Sequence, residues 1–89
     1  MSKHEYRVSN YILIWDFDEK EPDISKASPN NLYIDGLWSM SEFLGREELC
    51  VGVNIIDSNT FRFTTYLGMS YEMKITGDKV DCISKMFVK

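Results

Sequence analysis

The stretch Tyr71-Glu72-Met73-Lys74-Ile75-Thr76-Gly77-Asp78-Lys79-Val80-Asp81-Cys82 decides the fold. Two β-prone runs flank Gly77-Asp78, a two-residue loop whose first central position wants positive φ, which glycine adopts without steric cost. A register set from that turn opposes Thr76 to Lys79, Ile75 to Val80, Lys74 to Asp81 and Met73 to Cys82. Because strand side chains alternate between faces, Tyr71, Met73, Ile75, Val80, Cys82, Met86 and Val88 are expected on one face. Glu72, Lys74, Thr76, Lys79, Asp81 and Lys85 then fall on the other, with Lys74 and Asp81 as a cross-strand ion pair.

Working upstream, Asp57-Ser58-Asn59-Thr60 is a cluster of turn formers between two more β-prone runs, Leu49 to Ile56 and Phe61 to Leu67. In the second run Phe61, Phe63, Thr65 and Leu67 alternate with Arg62, Thr64 and Tyr66, the pattern of a half-buried strand. Gly68-Met69-Ser70 turns the chain into the Gly77 hairpin. Four consecutive antiparallel strands are expected over the second half.

The first half is less regular. Residues 5–10 are mixed and polar and read as a lead-in or frayed strand, with His4, the only histidine, in a mobile N-terminus. Tyr11 to Phe17 is a short apolar run rich in β-branched and aromatic types, read as a strand. Asp18 to Pro29 is a polar loop with two prolines, extended by Asn30-Asn31, and Leu32-Tyr33-Ile34 is a short strand before an Asp35-Gly36 turn. Ser39 as N-cap and Glu42 three residues later form a capping box, with Trp38 and Phe43 placed as a hydrophobic staple. Gly45 either ends a one-turn helix or lies inside one reaching about residue 48. The expected architecture is a single α+β domain over 1–89: a twisted antiparallel sheet of about five or six strands with one short α-helix packed on it.

The composition, 44% hydrophobic and 13% aromatic, supplies a core. No apolar run approaches the roughly 20 residues a membrane helix needs, and the N-terminus lacks the apolar segment of a signal peptide; a cytoplasmic location is expected. Cys50 and Cys82, on the first and last strands of the meander, are expected to be buried free thiols, since two strands would separate them. The formal charge of −4 is unevenly placed: residues 1–48 hold ten acidic and five basic side chains (−5), residues 49–89 four and five (+1). This argues against nucleic acid or anionic lipid as partner and suits a basic protein.

The acidic stretch Asp16, Asp18, Glu19, Glu21 and Asp23 admits several readings. Asp-x-Asp after an apolar strand resembles the nucleophile motif of haloacid-dehalogenase-type phosphatases, but the Gly-Thr continuation and large parallel α/β domain are missing. A calcium loop wants oxygen ligands at its first, third and fifth positions and glycine at the sixth; here Asp16 and Asp18 are followed by Lys20 and Glu21. No positioned histidine, cysteine cluster or glycine-rich phosphate loop is present, so neither catalysis, metal nor cofactor is expected. A solvated loop or a protein-binding surface is left. An exposed tyrosine or tryptophan beside the carboxylates would anchor such an interface.

The segment Leu32-Tyr33-Ile34-Asp35-Gly36-Leu37-Trp38, followed by a capped helix and an antiparallel meander, resembles small immunity proteins of bacterial toxin systems. The resemblance covers the layout of residues 32–76 and implies an acidic, cytoplasmic protein that neutralises one cognate, nuclease-type toxin; it carries over no binding residues. The residues themselves nominate Asp16, Asp18, Glu19, Glu21, Asp23 and Asp35 for charge and Tyr33 and Trp38 as anchors. A small-ligand-binding domain with an aromatic-lined pocket, and an assembly subunit pairing through a sheet edge, are the alternatives.

Overall fold

Period-two alternation of apolar residues recurs in both halves, and eight strands form among the described residues. The structure, a computed structural model, describes residues 3–17 and 30–88. In chain order the elements are β1 (Lys3–Val8), β2 (Tyr11–Asp16), β3 (Leu32–Ile34), β4 (Trp38–Ser39), α1 (Met40–Leu44), β5 (Cys50–Asp57), β6 (Thr60–Thr65), β7 (Met69–Thr76) and β8 (Lys79–Phe87). They form two antiparallel four-stranded sheets, β1-β2-β3-β4 and β5-β6-β7-β8, each in chain order.

The expected single sheet of five or six strands is therefore replaced by two sheets. The physical reason lies in the faces. In the first sheet Leu13, Trp15, Leu32 and Ile34 point inward together with Val8, and all five are buried. A five-residue helix is too small to cover that face and the face of the meander as well. Stacking the two sheets buries both at once, and one apolar cluster joins Val8, Leu13, Trp15, Leu32, Ile34 and Met40 to Phe61, Phe63, Tyr71, Met73 and Ile75. Where a lead-in or frayed strand is expected over residues 5–10, Lys3–Val8 instead form β1, because each inward side chain meets a partner: Tyr6 opposes Leu13 and Val8 opposes Tyr11. His4 lies in this strand opposite Trp15, with ring centroids 5.0 Å apart, and its Nε2 donates to the Phe17 carbonyl at 3.0 Å.

The meander follows its expected register. Thr76, Ile75, Lys74 and Met73 oppose Lys79, Val80, Asp81 and Cys82, and Gly77 has φ 63°. Past Cys82 the register slips by one: Glu72 opposes Ser84 and Tyr71 opposes Lys85, leaving Ile83 as an extra, bulged residue. Directly opposed residues share a face, so Lys85 and Phe87 move to the side of Tyr71 and Met69, and Met86 leaves the side on which it was expected. Cys82 is exposed rather than buried, since the core's cover on β8 ends at Val80; Cys50 is fully buried as expected, and both are free. Burial pushes the Cys50 thiol up to about 12.

The helix begins as read: Ser39 Oγ accepts from the Glu42 amide at 3.3 Å, and the Trp38 and Phe43 rings meet at 6.2 Å. It stops after five residues because Gly45 takes a left-handed conformation (φ 74°) and returns its N–H to the Ser41 carbonyl.

The two sheets are tied by Asn31, which is 2% exposed. Its Nδ2 donates to the carbonyls of Asp16 (3.0 Å) and Cys50 (2.9 Å), its Oδ1 accepts from the Cys50 amide (2.7 Å), and its carbonyl accepts from the Asp16 amide (2.8 Å). Trp15 Nε1 also donates to the Cys50 carbonyl at 3.0 Å. One buried amide thus links the end of β2 to the start of β5.

Three outcomes follow. Asn31→Ala leaves the Cys50 amide buried without an acceptor; a deletion of this kind costs about 1–3 kcal/mol, to be read as a lower midpoint in urea unfolding. At neutral pH an aromatic disulfide reagent titrates Cys82 at once and reaches Cys50 only on unfolding, and Cys82→Ser abolishes the fast phase. Asp57 Oδ1 accepts from the Asn59 amide at 2.9 Å, and that bond, with a second from Thr60, holds its carboxyl below the ordinary 3.8. A depressed folded value means the unfolded chain binds more protons in between, so this contribution is present above pH 3.8 and lost as pH falls through the folded value. The stability gap between wild type and Asp57→Ala, measured by thermal unfolding, is expected to close over that acid range.

Candidate partner-binding site

The turn after β3 brings three of the nominated residues together. β3 runs antiparallel to β4 through Tyr33 opposite Ser39 and Ile34 opposite Trp38, and Asp35–Leu37 form the turn between them. Ile34 is buried and aims into the core, so its neighbour Tyr33 faces away from it, half-buried. The Asn30 side chain closes the same corner, accepting from the Ser41 amide at 3.0 Å through Oδ1. The result is a shallow recess of about 420 Å³ lined by Tyr33, Asp35, Trp38 and Glu42 among others. Among the described residues, two carboxylates and no Lys or Arg line it. Asp35 is exposed, and Glu42 Oε1 accepts from Ser39 Oγ at 3.3 Å, held there by the capping box.

The two aromatic candidates differ. Trp38 stacks obliquely or edge-on against Phe43, Phe61 and Phe63, with ring centroids 5.4 to 6.2 Å away, and its Nε1 is buried with no hydrogen-bond partner among the described residues. It forms the wall of the recess while serving the core. Tyr33 supplies the accessible ring.

Asp16 is not among the residues lining the recess. It closes β2 on the outer face of the first sheet, opposite Lys3, in a row that also holds Glu5 and Arg7, so the two charges of each sign offset one another there. Asp18, Glu19, Glu21 and Asp23 lie outside the described residues. Among the described residues no three His, Cys, Asp or Glu side chains gather as metal ligands, and no helix is long and apolar enough to cross a membrane.

A second feature was not visible in the alternation pattern. β8 is the last strand of its sheet, paired to β7 on one side and to no strand on the other among the described residues. From Asp81 to Val88 every side chain is exposed, and Ile83, Met86 and Phe87 are 55%, 61% and 63% accessible. The 66–68 turn adjoins this end, since the Val88 amide donates to the Gly68 carbonyl at 2.6 Å, and it adds exposed Tyr66 and Leu67. Exposed apolar side chains concentrated on one strand mark a contact surface more often than isolated ones do. Period-two alternation does not reveal it: it sets Met86, Val88 and Leu67 on inward-facing sides and assigns Ile83 and Phe87 to neither face, and only the reach of the first sheet decides which apolar residues are covered.

No protein family, curated protein or solved structure matches this chain. The functional reading accordingly rests on the residues and their arrangement.

Proposed function

We propose that this chain is a small binding protein that acts by stoichiometric association with a basic protein partner, in the manner of an immunity protein that neutralises a nuclease-type toxin. The observation that carries the reading is the recess at the β3–β4 turn, where Tyr33, Asp35 and Glu42 share one lining that holds no cation among the described residues. An aromatic ring beside carboxylates fits a protruding Lys or Arg: the carboxylates offer charge-assisted hydrogen bonds and the ring face attracts the cation. The acidic excess of residues 1–48, −5 against +1 for the rest, would steer such a partner toward this end of the molecule. Asp16, Asp18, Glu19, Glu21 and Asp23 would add to that field rather than make specific contacts. A cytoplasmic setting goes with the reading, where the chain would shield its own cell.

The test is affinity capture from the source cell's lysate by the wild type and by Asp35→Lys, each at low and high salt. A basic protein held by wild type, weakened by salt and bound at least about tenfold less by Asp35→Lys, a loss of about 1.4 kcal/mol, is the expected result. Tyr33→Ala should weaken capture without adding charge. Identical retention by wild type and both variants would remove the recess from any role in partner binding.

A further inference from the structure

We propose that the groove between α1 and β8 is a second docking site, independent of the acidic recess, for an extended polypeptide segment that presents one carboxylate flanked by apolar side chains. The groove has a volume of about 590 Å³ and is lined by Phe43 and Leu44 from the helix, Arg46 beyond it, and Tyr71, Ile83 and Lys85 from the sheet. That size and mixture suit a bound side chain with its neighbours.

The cation in this groove is there because of the bulge. In an unbroken register Ser84 would oppose Tyr71, and Lys85 would point to the opposite face. The extra residue Ile83 reverses that order and sets Lys85 opposite Tyr71. Bulges that redirect a side chain beside a functional surface are a recurrent device. Lys85 has no ion-pair partner among the described residues. Arg46, by contrast, is held by Glu48 at 2.8 Å, and the hydrogen bond to Glu48 followed by its charge raises the guanidinium's affinity for its proton, with Tyr71 adding a smaller contribution. Arg46 and Glu48 offset each other and Lys85 leaves the groove with one unmatched positive charge. The complement is a single carboxylate.

The apolar surface continues from the groove along the same face of β8 to Phe87, and the strand's outer edge carries backbone groups that pair with no strand among the described residues. A small molecule would fill the groove and leave both uncovered; an extended chain lying along β8 meets all three, combining main-chain hydrogen bonds with side-chain pockets. A second copy of this chain fits less well. Antiparallel self-pairing about Ile83 would bring Asp81 of each copy opposite Lys85 of the other. The bulge, however, puts Asp81 with Lys74 on one face and Lys85 with Tyr71 on the other, so these charges could not meet.

The test is selection of a phage-displayed random dodecapeptide library on the folded full-length chain, followed by titration of an enriched peptide into the isotopically labelled protein. Enriched sequences are expected to carry Asp or Glu between apolar residues, to shift the amide signals of β8, and to bind at least tenfold more weakly to Lys85→Met. The double exchange Ser84→Lys with Lys85→Ser keeps the net charge and moves the cation to the other face; it should lose the same affinity while its amide spectrum reports an intact fold. Absence of enrichment, enrichment with no acidic preference, equal binding by the exchanged variant, or shifts that avoid β8 would each overturn the proposal. So would β8 shifts that grow with protein concentration alone, which would identify a second copy as the occupant.

Discussion

Asn31 is the constraint on which the arrangement of this molecule depends. A two-sheet fold needs something at the crossover that satisfies backbone groups belonging to neither sheet's ladder, because a buried and unpaired N–H or C=O costs about as much as a lost hydrogen bond. Here one side-chain amide answers the carbonyls of Asp16 and Cys50 and the amide of Cys50 together. That sets where β5 begins relative to the end of β2. Asn30 extends the device by holding the first turn of α1 through the Ser41 amide and by donating its own N–H to the Glu48 carbonyl at 3.1 Å. Two consecutive asparagines thereby join both sheets and the helix.

From that fixed crossover the core assembles around aromatics. Trp38 meets Phe43, Phe61 and Phe63, and Phe63 stacks on Tyr71 at 5.1 Å. The cluster sits where α1, β6 and β7 converge, and it ends there. The helix is too short, and the first sheet too narrow, to cover β8 beyond Val80, so its side chains from Asp81 onward stay exposed. Incomplete cover and a fully packed centre are two consequences of the same element lengths.

The molecule thus presents two surfaces of opposite character. At the β3–β4 turn, carboxylates surround an accessible tyrosine; at β8, apolar residues surround a lysine with no ion-pair partner among the described residues. They are built by different means: the first by a tight turn and a helix cap, the second by a one-residue slip in strand register. Charge complementarity of each with a different kind of chain would let one small domain contact a basic body and an acidic segment without competition between them.

Local sequence determined a good deal by itself. The Gly77-Asp78 turn set the β7–β8 register, the Ser39 and Glu42 spacing set the start of α1, and the alternation in 60–65 set the inner face of β6, because turn chemistry, caps and side-chain periodicity act over a few residues. Tyr33, Asp35 and Trp38 could be nominated on residue type, but their convergence with Glu42 depends on how β3, β4 and α1 meet. Whether the strands made one sheet or two was decided by tertiary structure, since periodicity says which side chains share a face and nothing of what covers that face. The role of Asn31 was hidden for the same reason: an asparagine after a polar loop reads as a turn former until the strand it bonds is known. The bulge at Ile83 and the exposure of β8 were likewise settled by packing, because the apolar residues of a strand look alike in sequence whether a second layer reaches them or stops short.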